Sequence, residues 1–304
     1  MVRLKVKKRN ILKAIVGLGI LYFAVIFVVP LTRNLFKKRK HDVPHIKNVP
    51  FRCSKNDRDH EHAPQHLVPN IKFRFYVIAH NDFSVAVARK WSECMPFVEI
   101  LRIDTSPFFE TFAYSTVLKD KEMQKEWSAY DFVGLATYKS LKFLPIEKLK
   151  AYLQLAHYGP FDFIPLYSTG ENLLPQAIAG HTKDFKVVWD ATLAAQGFRE
   201  EQIRSADQIE VFLRNTFITT PYWMGELVSF MDASVYTAQH NDTLRRLLRS
   251  HSHYREAKID VAHAVFQQDY YYWHPFIFER LPAFFVHIRN VSIFGKYIGY
   301  IGYI

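Results

Sequence analysis

From residue 72 onward, apolar runs of strand length alternate with stretches of helical spacing, and this alternation limits the folds open to the chain. Parallel strands need crossover connections, so β-α-β-α order indicates a largely parallel sheet with helices on both faces. We therefore predict an α/β fold with a single Rossmann-like sheet. The predicted strands are residues 72–80, 98–103, 131–136 and 161–166.

Helical spacing occurs between these strands and dominates the second half of the chain. Ser205 and Gln208 also have the spacing of a capping box, which predicts a helix through Ile209, Phe212 and Leu213. The C-terminal half is therefore predicted to be mostly helical. The predicted helices are 85–94, 108–126, one that Pro145 begins, 187–196, 224–238, 242–251 and 275–288.

Residues 14–31 form an uncharged run of eighteen residues with basic clusters on both sides. Such a run is long enough to span a membrane. A cleaved signal peptide would have a shorter apolar region and small residues at its end, whereas this run ends in Val28-Val29-Pro30-Leu31. The alternative, a buried core helix, would need partners on all sides that the first 40 residues do not supply. We predict a transmembrane helix.

The predicted organisation follows from this anchor. Residues 1–13 are a basic tail, 14–31 the anchor, 32–70 a proline- and histidine-rich stem, 71–294 the globular domain and 295–304 a tail. The stem contains Asp57-Arg58-Asp59 and several histidines. A linker without a hydrophobic framework does not preorganise ligands, so no metal site is predicted.

The positive charge is confined to the N-terminus. The chain has 40 Lys and Arg against 29 Asp and Glu, a net charge of +11. Residues 1–40 hold eleven of the basic residues and no acidic residue, so the rest of the chain is neutral. A nucleic-acid-binding domain needs a basic stripe on its folded surface, and that class is excluded as a partner.

Polar residues follow three of the predicted strands at their carboxyl ends. They are His80-Asn81-Asp82, Asp104-Thr105 and Thr137-Tyr138-Lys139. Ligands of open parallel sheets bind outside this edge, so these residues are predicted to converge on one crevice. The alternative is that they are ordinary caps and turns.

Residues 131–140 read DFVGLATYKS. They resemble the D-Y-I-G-L-x-H-Y-R-R segment of a family of bacterial capsular-polysaccharide glycosyltransferases with an A-type nucleotide-sugar fold, and three further segments resemble that family. Its E-L-T-A-x-Y-W, Y-N-M-F-I and G-F-L-x-E-R-L segments are similar, in the same order, to Glu110-Thr111-Phe112-Ala113-Tyr114, to Tyr222-Trp223-Met224 with Phe230-Met231, and to residues 276–281. The family's His and two Arg are Thr137, Lys139 and Ser140 here, and its Asn is Trp223, so only Lys139 keeps a positive charge.

The resemblance implies binding of a nucleotide-sugar donor, whose diphosphate leaving group needs positive charge. The globular region has no Asp-x-Asp, so cationic side chains are favoured over a divalent cation, which is the alternative, and no cofactor is required. For the segment that contains Arg245, Arg246 and Arg249, the alternative is a solvated basic face. The predicted donor-binding residues are His80, Asp82, Asp104, Tyr138, Lys139, Arg245 and Arg249.

Inverting transfer also needs a carboxylate that accepts the proton of the acceptor hydroxyl. Glu279 lies among apolar residues and matches the family's E-R-L, and Asp162 is the second carboxylate to consider. The alternative for Glu279 is an ion pair with Arg280 or another residue. Aromatic residues 270–273 suit either sugar stacking or an ordinary core.

These features together predict a membrane-anchored glycosyltransferase that acts on a nucleotide sugar and a glycan or glycoconjugate acceptor. The alternative is a membrane-anchored carbohydrate-binding or scaffold protein that keeps the fold without catalysis. Two glycosylation sequons, at Asn241 and Asn290, fit a lumenal body, whereas the basic residues on the two sides of the anchor barely discriminate its orientation. We expect a type II protein of the Golgi or endoplasmic reticulum.

Overall fold

The computed structural model describes residues 68, 70–93, 95, 97–140, 144 and 146–293. Its strands are β1 (Phe73–Ala79), β2 (Val98–Arg102), β3 (Phe132–Thr137), β4 (Phe163–Pro165), β5 (Ser168–Asn172), β6 (Glu210–Phe212) and β7 (Phe217–Thr219). Five of them form the main sheet in the order β2-β1-β3-β7-β4, and β5 pairs with β6 in a small antiparallel ribbon.

The main sheet is mostly parallel, which confirms the predicted α/β class with a single main sheet. β1 pairs in parallel with β2 and β3. β7 pairs antiparallel to both β3 and β4, so four of the five strands run in one direction. Phe217–Thr219 was not predicted as a strand, because a three-residue run has no periodicity to detect.

Helices surround the sheet and make up about half of the described residues. The α-helices are α1 (Asp82–Ser92), α2 (Lys121–Trp127), α3 (Ile146–Tyr158), α4 (Leu173–Gly180), α5 (Asp184–Ala195), α6 (Glu200–Ser205), α7 (Pro221–His240), α8 (Asp242–Leu248), α9 (Ile259–Phe266), α10 (His274–Phe278) and α11 (Leu281–Ile288). Two 3-10 helices span Phe109–Ser115 and Ala206–Gln208.

Successive strand residues point to opposite faces of the sheet, and both faces are buried. Tyr76 and Ile78 of β1 pack in a large core with residues of α5, α7 and α11. Phe75 and Val77 point to the opposite face and pack in a second core with residues of α1 and α3. Every residue of β3 is buried. Because both faces of the strands carry apolar side chains that must be buried, helices have to cover both faces.

The predicted helix 108–126 is divided into the 3-10 helix Phe109–Ser115 and α2. Asp120 separates them, because its carboxylate accepts hydrogen bonds from the backbone N–H groups of Glu122 and Met123, each at 3.0 Å. It thereby caps the start of α2. The prediction of one continuous helix was wrong, because an N-cap residue outweighed the apolar periodicity.

The helix predicted to begin at Ser205 was also wrong, since α6 ends there. The Ser205 hydroxyl donates to the Gln202 carbonyl, at 2.8 Å, instead of capping a new helix. After the second 3-10 helix, β6 pairs with β5. Val211 and Phe212 are buried there, and this burial stabilises the paired strand relative to a helix.

The final predicted helix, 275–288, is instead two helices, α10 and α11, that meet at Glu279 and Arg280. Pro282 lies in the first turn of α11. A proline in the interior of one continuous helix would clash with the carbonyl four residues earlier and would lack an N–H donor. The chain therefore restarts its helix just after Glu279.

The predicted anchor, the terminal tails and nearly all of the stem lie outside the described residues. Within the described part of the chain, no helix combines the length and apolar character needed to cross a bilayer.

Gly134 in β3 provides a test of the packing between strands. A Cβ atom at this position would lie 2.3 Å and 2.7 Å from two ring carbons of Phe75, which is completely buried. Gly134→Ala should therefore lower the free energy of unfolding by about 1–3 kcal/mol, measured by urea denaturation.

Gly225→Ala is the matched control, because Gly225 lies inside α7 with no atom within 4 Å of an added Cβ. Removing a helical glycine should raise the free energy of unfolding by about 0.5–1 kcal/mol. Equal shifts in the same direction for the two variants would contradict the packing described for β3.

Candidate functional site

The carboxyl ends of β1 and β3 bring His80 and Tyr138 together. The two strands are parallel neighbours, with Ile78 opposite Thr137, so the residues that follow them emerge side by side. The His80 and Tyr138 rings meet edge to face with centroids 5.5 Å apart. The third predicted strand end joins them, because the Thr105 hydroxyl donates to the His80 carbonyl at 3.3 Å. All three predicted strand ends therefore meet at one edge of the sheet.

The 3-10 helix places Phe109 and Glu110 against Lys139. The Lys139 Nζ atom lies 3.7 Å from Glu110 Oε1 and 5.9 Å from the centre of the Phe109 ring. The Lys139 side chain is 50% exposed, whereas the Glu110 side chain is only 14% exposed. Glu110 thus pairs with the amine of a lysine whose side chain still reaches solvent.

Glu279 belongs to the same cluster of charges. Its Oε1 atom accepts a hydrogen bond from the backbone N–H of Arg214 at 2.8 Å, and its Oε2 atom accepts none from a described residue. Burial raises the pKa of the Glu279 carboxyl, and Glu110 adds to the increase, while Arg280 and the Arg214 N–H oppose it. We call Glu110, Lys139, Arg214 and Glu279 the charged cluster.

The pKa of Lys139 reflects the same neighbours. Burial alone would lower the pKa of its amine, but the charges of Glu110 and Glu279 and the nearby Tyr138 outweigh burial and raise it. Lys139 is therefore a permanent cation at neutral pH. Burial lowers the pKa of His80, and Lys139 adds to this effect against the opposing influence of Glu110, so His80 is neutral there.

A buried chain of hydroxyl groups connects the end of β3 to the turn that holds Glu279. Ser140 Oγ lies 3.2 Å from Thr137 Oγ1 and 2.7 Å from Thr216 Oγ1. Thr216 in turn donates to the Arg214 carbonyl at 2.8 Å. Arg214 has a φ of 65°, a left-handed conformation that non-glycine residues seldom adopt.

Arg280 supports Glu279 without a direct ion pair between them. Its guanidinium is buried and donates to the Phe276 carbonyl and to Gln176 Oε1, each at 2.6 Å. Burial lowers the pKa of Arg280, and the charge of Glu279 opposes this. The alternative of an ion pair between Glu279 and Arg280 therefore does not hold as a direct contact. The two charges attract each other, and the backbone N–H of Arg214 orients the carboxylate.

Some aromatic residues near the charged cluster pack around Phe109, and others belong to the hydrophobic core. The Tyr271 ring stacks on Phe109 with centroids 6.3 Å apart, and Tyr254 packs against Tyr271 at 5.7 Å. Burial, with help from Glu256 and Glu279, raises the pKa of Tyr254 to about 12. Trp273 is 1% exposed and belongs to the core.

Two predicted residues lie at the same edge of the sheet but make other contacts. Asp82 begins α1 and pairs with Arg102 at 2.9 Å on the exposed surface. Asp104 is exposed in the loop after β2. Neither carboxylate contacts the charged cluster among the described residues.

Asp162 lies at the opposite edge of the sheet. It precedes β4, and Phe163 aligns through Thr219 with Val133 near the start of β3. At about 3.3 Å per residue, this places Asp162 roughly 20 Å from the level of Lys139. Its backbone carbonyl accepts from Thr219 Oγ1 at 2.7 Å. The prediction that Asp162 is the alternative base to Glu279 therefore does not fit the geometry.

Arg245 and Arg249 line a separate pocket, whose lining includes no residue of the charged cluster. The sequence analysis did not predict Arg214 or a role for Glu110. The sequence could have indicated Glu110, since it begins one of the four family-like segments. It could not have indicated Arg214, because only the left-handed turn brings the Arg214 N–H to Glu279.

No group of three or more histidine, cysteine, aspartate or glutamate side chains that could hold a metal ion occurs among the described residues. The chain matches no protein-family model, no curated protein sequence and no solved structure. The chemistry of the site follows from its own contacts, burial and charge.

His181 lies behind the site and gives it a pH-dependent stability. It is 1% exposed, and burial lowers its pKa to about 4, with Arg280 adding to the effect and a hydrogen bond with the Ser252 carbonyl opposing it. The unfolded chain binds the proton near pH 6.5, so the folded state loses stability as the pH falls below that value.

We expect His181→Phe to reduce the acid sensitivity of the protein. Between pH 6.5 and about 4, the histidine costs about 1.4 kcal/mol of stability per pH unit, and phenylalanine cannot take up the proton. Urea denaturation at pH 7, 6 and 5 measures the slope. Identical slopes for the variant and the wild type would show that His181 is not buried in its neutral form.

Proposed function

We propose that this protein is a membrane-anchored glycosyltransferase that transfers a sugar from a nucleotide-sugar donor to a glycan or glycoconjugate acceptor. The observation that carries the proposal is that Glu279 lies near enough to Lys139 and Glu110 for their charges to interact, in one charged cluster beside the carboxyl end of β3. The reaction needs a cation and a base, and these residues supply both.

An A-type nucleotide-sugar fold is part of this proposal, and the placement of the family-like segments supports it. Three of the four family-like segments meet in the site, because they contribute Glu110, Lys139 and Glu279. The fourth lies in α7, where Trp223 packs against Phe285 at 6.2 Å. Segments far apart in the sequence that converge on one edge are typical of a substrate site.

Lys139 would stabilise the diphosphate leaving group. As the glycosidic bond to the diphosphate breaks, the bonding electron pair leaves with the phosphate oxygen, and negative charge grows there. The half-exposed amine can reach this oxygen, while Glu110 keeps it oriented. Arg214 adds positive charge beside the site.

Glu279 would act as the general base. Its Oε1 atom is held by the Arg214 N–H, which leaves Oε2 to accept the proton of the acceptor hydroxyl. The hydroxyl oxygen then bonds to the anomeric carbon as the diphosphate departs. A raised pKa makes the carboxylate a stronger base than an exposed glutamate.

The anchor at residues 14–31, the Golgi or endoplasmic reticulum location and the lumenal body are part of the same proposal. They rest on the apolar run, the stem and the two sequons.

The alternative is a carbohydrate-binding protein without turnover, and the ion pair between Lys139 and Glu110 favours it. An amine already paired at 3.7 Å is partly neutralised before any phosphate arrives. Stacked Phe109 and Tyr271 would suit sugar binding in either case. Nucleotide-sugar binding with measurable transfer separates the transferase from a protein that binds glycans alone.

Lys139→Ala should weaken the affinity for the nucleotide sugar, or its turnover, about tenfold or more, since a charge-assisted hydrogen bond contributes about 1.5–3 kcal/mol. A thermal-shift panel of nucleotide sugars identifies the donor, and calorimetry and transfer assays then measure the change. Lys139→Arg should retain part of the activity.

Lys119→Ala is the matched control, because Lys119 pairs with Asp232 at 3.4 Å and is 51% exposed, much like Lys139. Its donor affinity should equal that of the wild type. Equal losses in both lysine variants would contradict a specific role for Lys139. Turnover that requires added Mn²⁺ or Mg²⁺ would contradict a leaving group stabilised by side chains.

Glu279→Gln should bind the donor normally and reduce kcat about a hundredfold or more, because the amide keeps the shape of the carboxylate and loses its basicity. The Arg214 N–H can still donate to the amide oxygen, so the fold is retained. Glu226→Gln, which removes a surface pair with Arg289, is the control. A variant with wild-type kcat per folded molecule would assign Glu279 a structural role.

A further inference from the structure

A pocket with a volume of about 520 Å³ lies beside the 3-10 helix, which contributes Phe112 to its lining. Phe108 lines this pocket, whereas the next residue, Phe109, packs against Lys139 and His80. Neither Lys139 nor Glu279 belongs to its lining. Adjacent phenylalanines thus contact the pocket and the charged cluster.

The lining of this pocket is positively charged. It contains Arg245 and Arg249 and no aspartate or glutamate. Arg245 pairs with Asp242 at 2.6 Å, but the guanidinium of Arg249 has no hydrogen-bond or ion-pair partner among the described residues. The pocket therefore holds one uncompensated cation, and an anion is its natural complement.

A buried polar atom at the pocket also lacks a partner. His274 is 4% exposed and lines the pocket, and its Nδ1 atom has no hydrogen-bond partner among the described residues. Burial, together with Arg249, lowers the pKa of His274 to about 3, so the ring is neutral at physiological pH. Buried polar groups without partners are rare because they are costly, and a ligand that pairs with this one would remove the cost.

Aromatic rings also line the pocket. Phe108, Phe112, Phe266 and Tyr272 contribute rings, and Gln239 contributes an amide. The volume lies in the range of about 300–1,000 Å³ that is usual for pockets of small organic ligands. Aromatic rings beside arginines suit a ligand with a planar ring system and an attached anionic group.

We propose that this pocket binds the phosphate ester of an aromatic ring system, the chemical class that includes nucleotides, with Arg249 and Arg245 on the phosphate and the phenylalanines against the ring. The inference does not depend on glycosyltransferase activity, because none of its residues belongs to the charged cluster.

Calorimetry on the purified full-length chain tests the proposal with uridine monophosphate, uridine and inorganic phosphate as probes. Uridine monophosphate should bind at least tenfold more tightly than either of the other two, because only it supplies both ring and phosphate. Equal affinity for inorganic phosphate would overturn the ring subsite, and no binding of any probe would overturn the site.

Arg249→Ala should weaken uridine monophosphate binding about tenfold or more, since a charge-assisted contact is lost. Arg246→Ala is the matched control: Arg246 lies three residues before Arg249, is exposed as Arg249 is, bonds to the Asp242 carbonyl at 3.4 Å and does not line the pocket. Its affinity should stay within twofold of the wild type. Equal weakening in both variants would show non-specific attraction and overturn the assignment.

His274→Phe keeps the ring and removes the unpartnered nitrogen, so it should weaken uridine monophosphate binding while leaving the unfolding midpoint within a few degrees. Lys139→Ala and Glu279→Gln should leave this binding unchanged, even if they abolish transfer. Loss of binding in those two variants would overturn a separate pocket.

Competition with nucleotide sugars identifies the source of the ligand. Displacement of uridine monophosphate would support the nucleotide of the sugar donor as the occupant. Undisturbed binding would support a separate phosphate ester, such as a phosphorylated acceptor.

Discussion

The burial of β1 and β3 on both faces is the constraint on which the rest of the structure depends. Side chains alternate between the two faces, and in these strands both sets are buried and apolar except for Arg74 in β1 and Thr137 at the end of β3. Helices must therefore cover both sides of the sheet, and the crossovers that place them keep the strands parallel. Parallel strands end at one edge, which is where His80 and Lys139 emerge.

Two irregularities then complete the charged cluster. The restart of the helix before Pro282 leaves Glu279 at a junction, and the left-handed turn at Arg214 directs a backbone N–H to its carboxylate. The hydroxyls of Thr137, Ser140 and Thr216 join this turn to β3. Since each is buried and hydrogen-bonded, the network stabilises a backbone conformation that would otherwise be strained.

The 3-10 helix Phe109–Ser115 and the residue before it, Phe108, border both the pocket and the charged cluster. Phe108 faces the pocket of Arg245 and Arg249, and Glu110 faces Lys139. The pocket lining carries two arginines and no acidic residue, whereas the charged cluster balances Lys139 and Arg214 against Glu110 and Glu279, in a body that is neutral as a whole. Local placement of charge, rather than net charge, gives the domain its two candidate anion sites.

The sequence by itself determined the α/β class, β1 to β4 and the residues at the strand ends, because apolar periodicity is a local property of the chain. It also singled out Lys139 and Glu279, through segments that resemble a known family. Only the tertiary structure decided that β7 lies between β3 and β4, that Glu110 and Arg214 join the cluster, and that Asp162 and Arg249 lie elsewhere. Strand pairing, left-handed turns and helix junctions depend on contacts between distant residues, and no local pattern encodes those contacts.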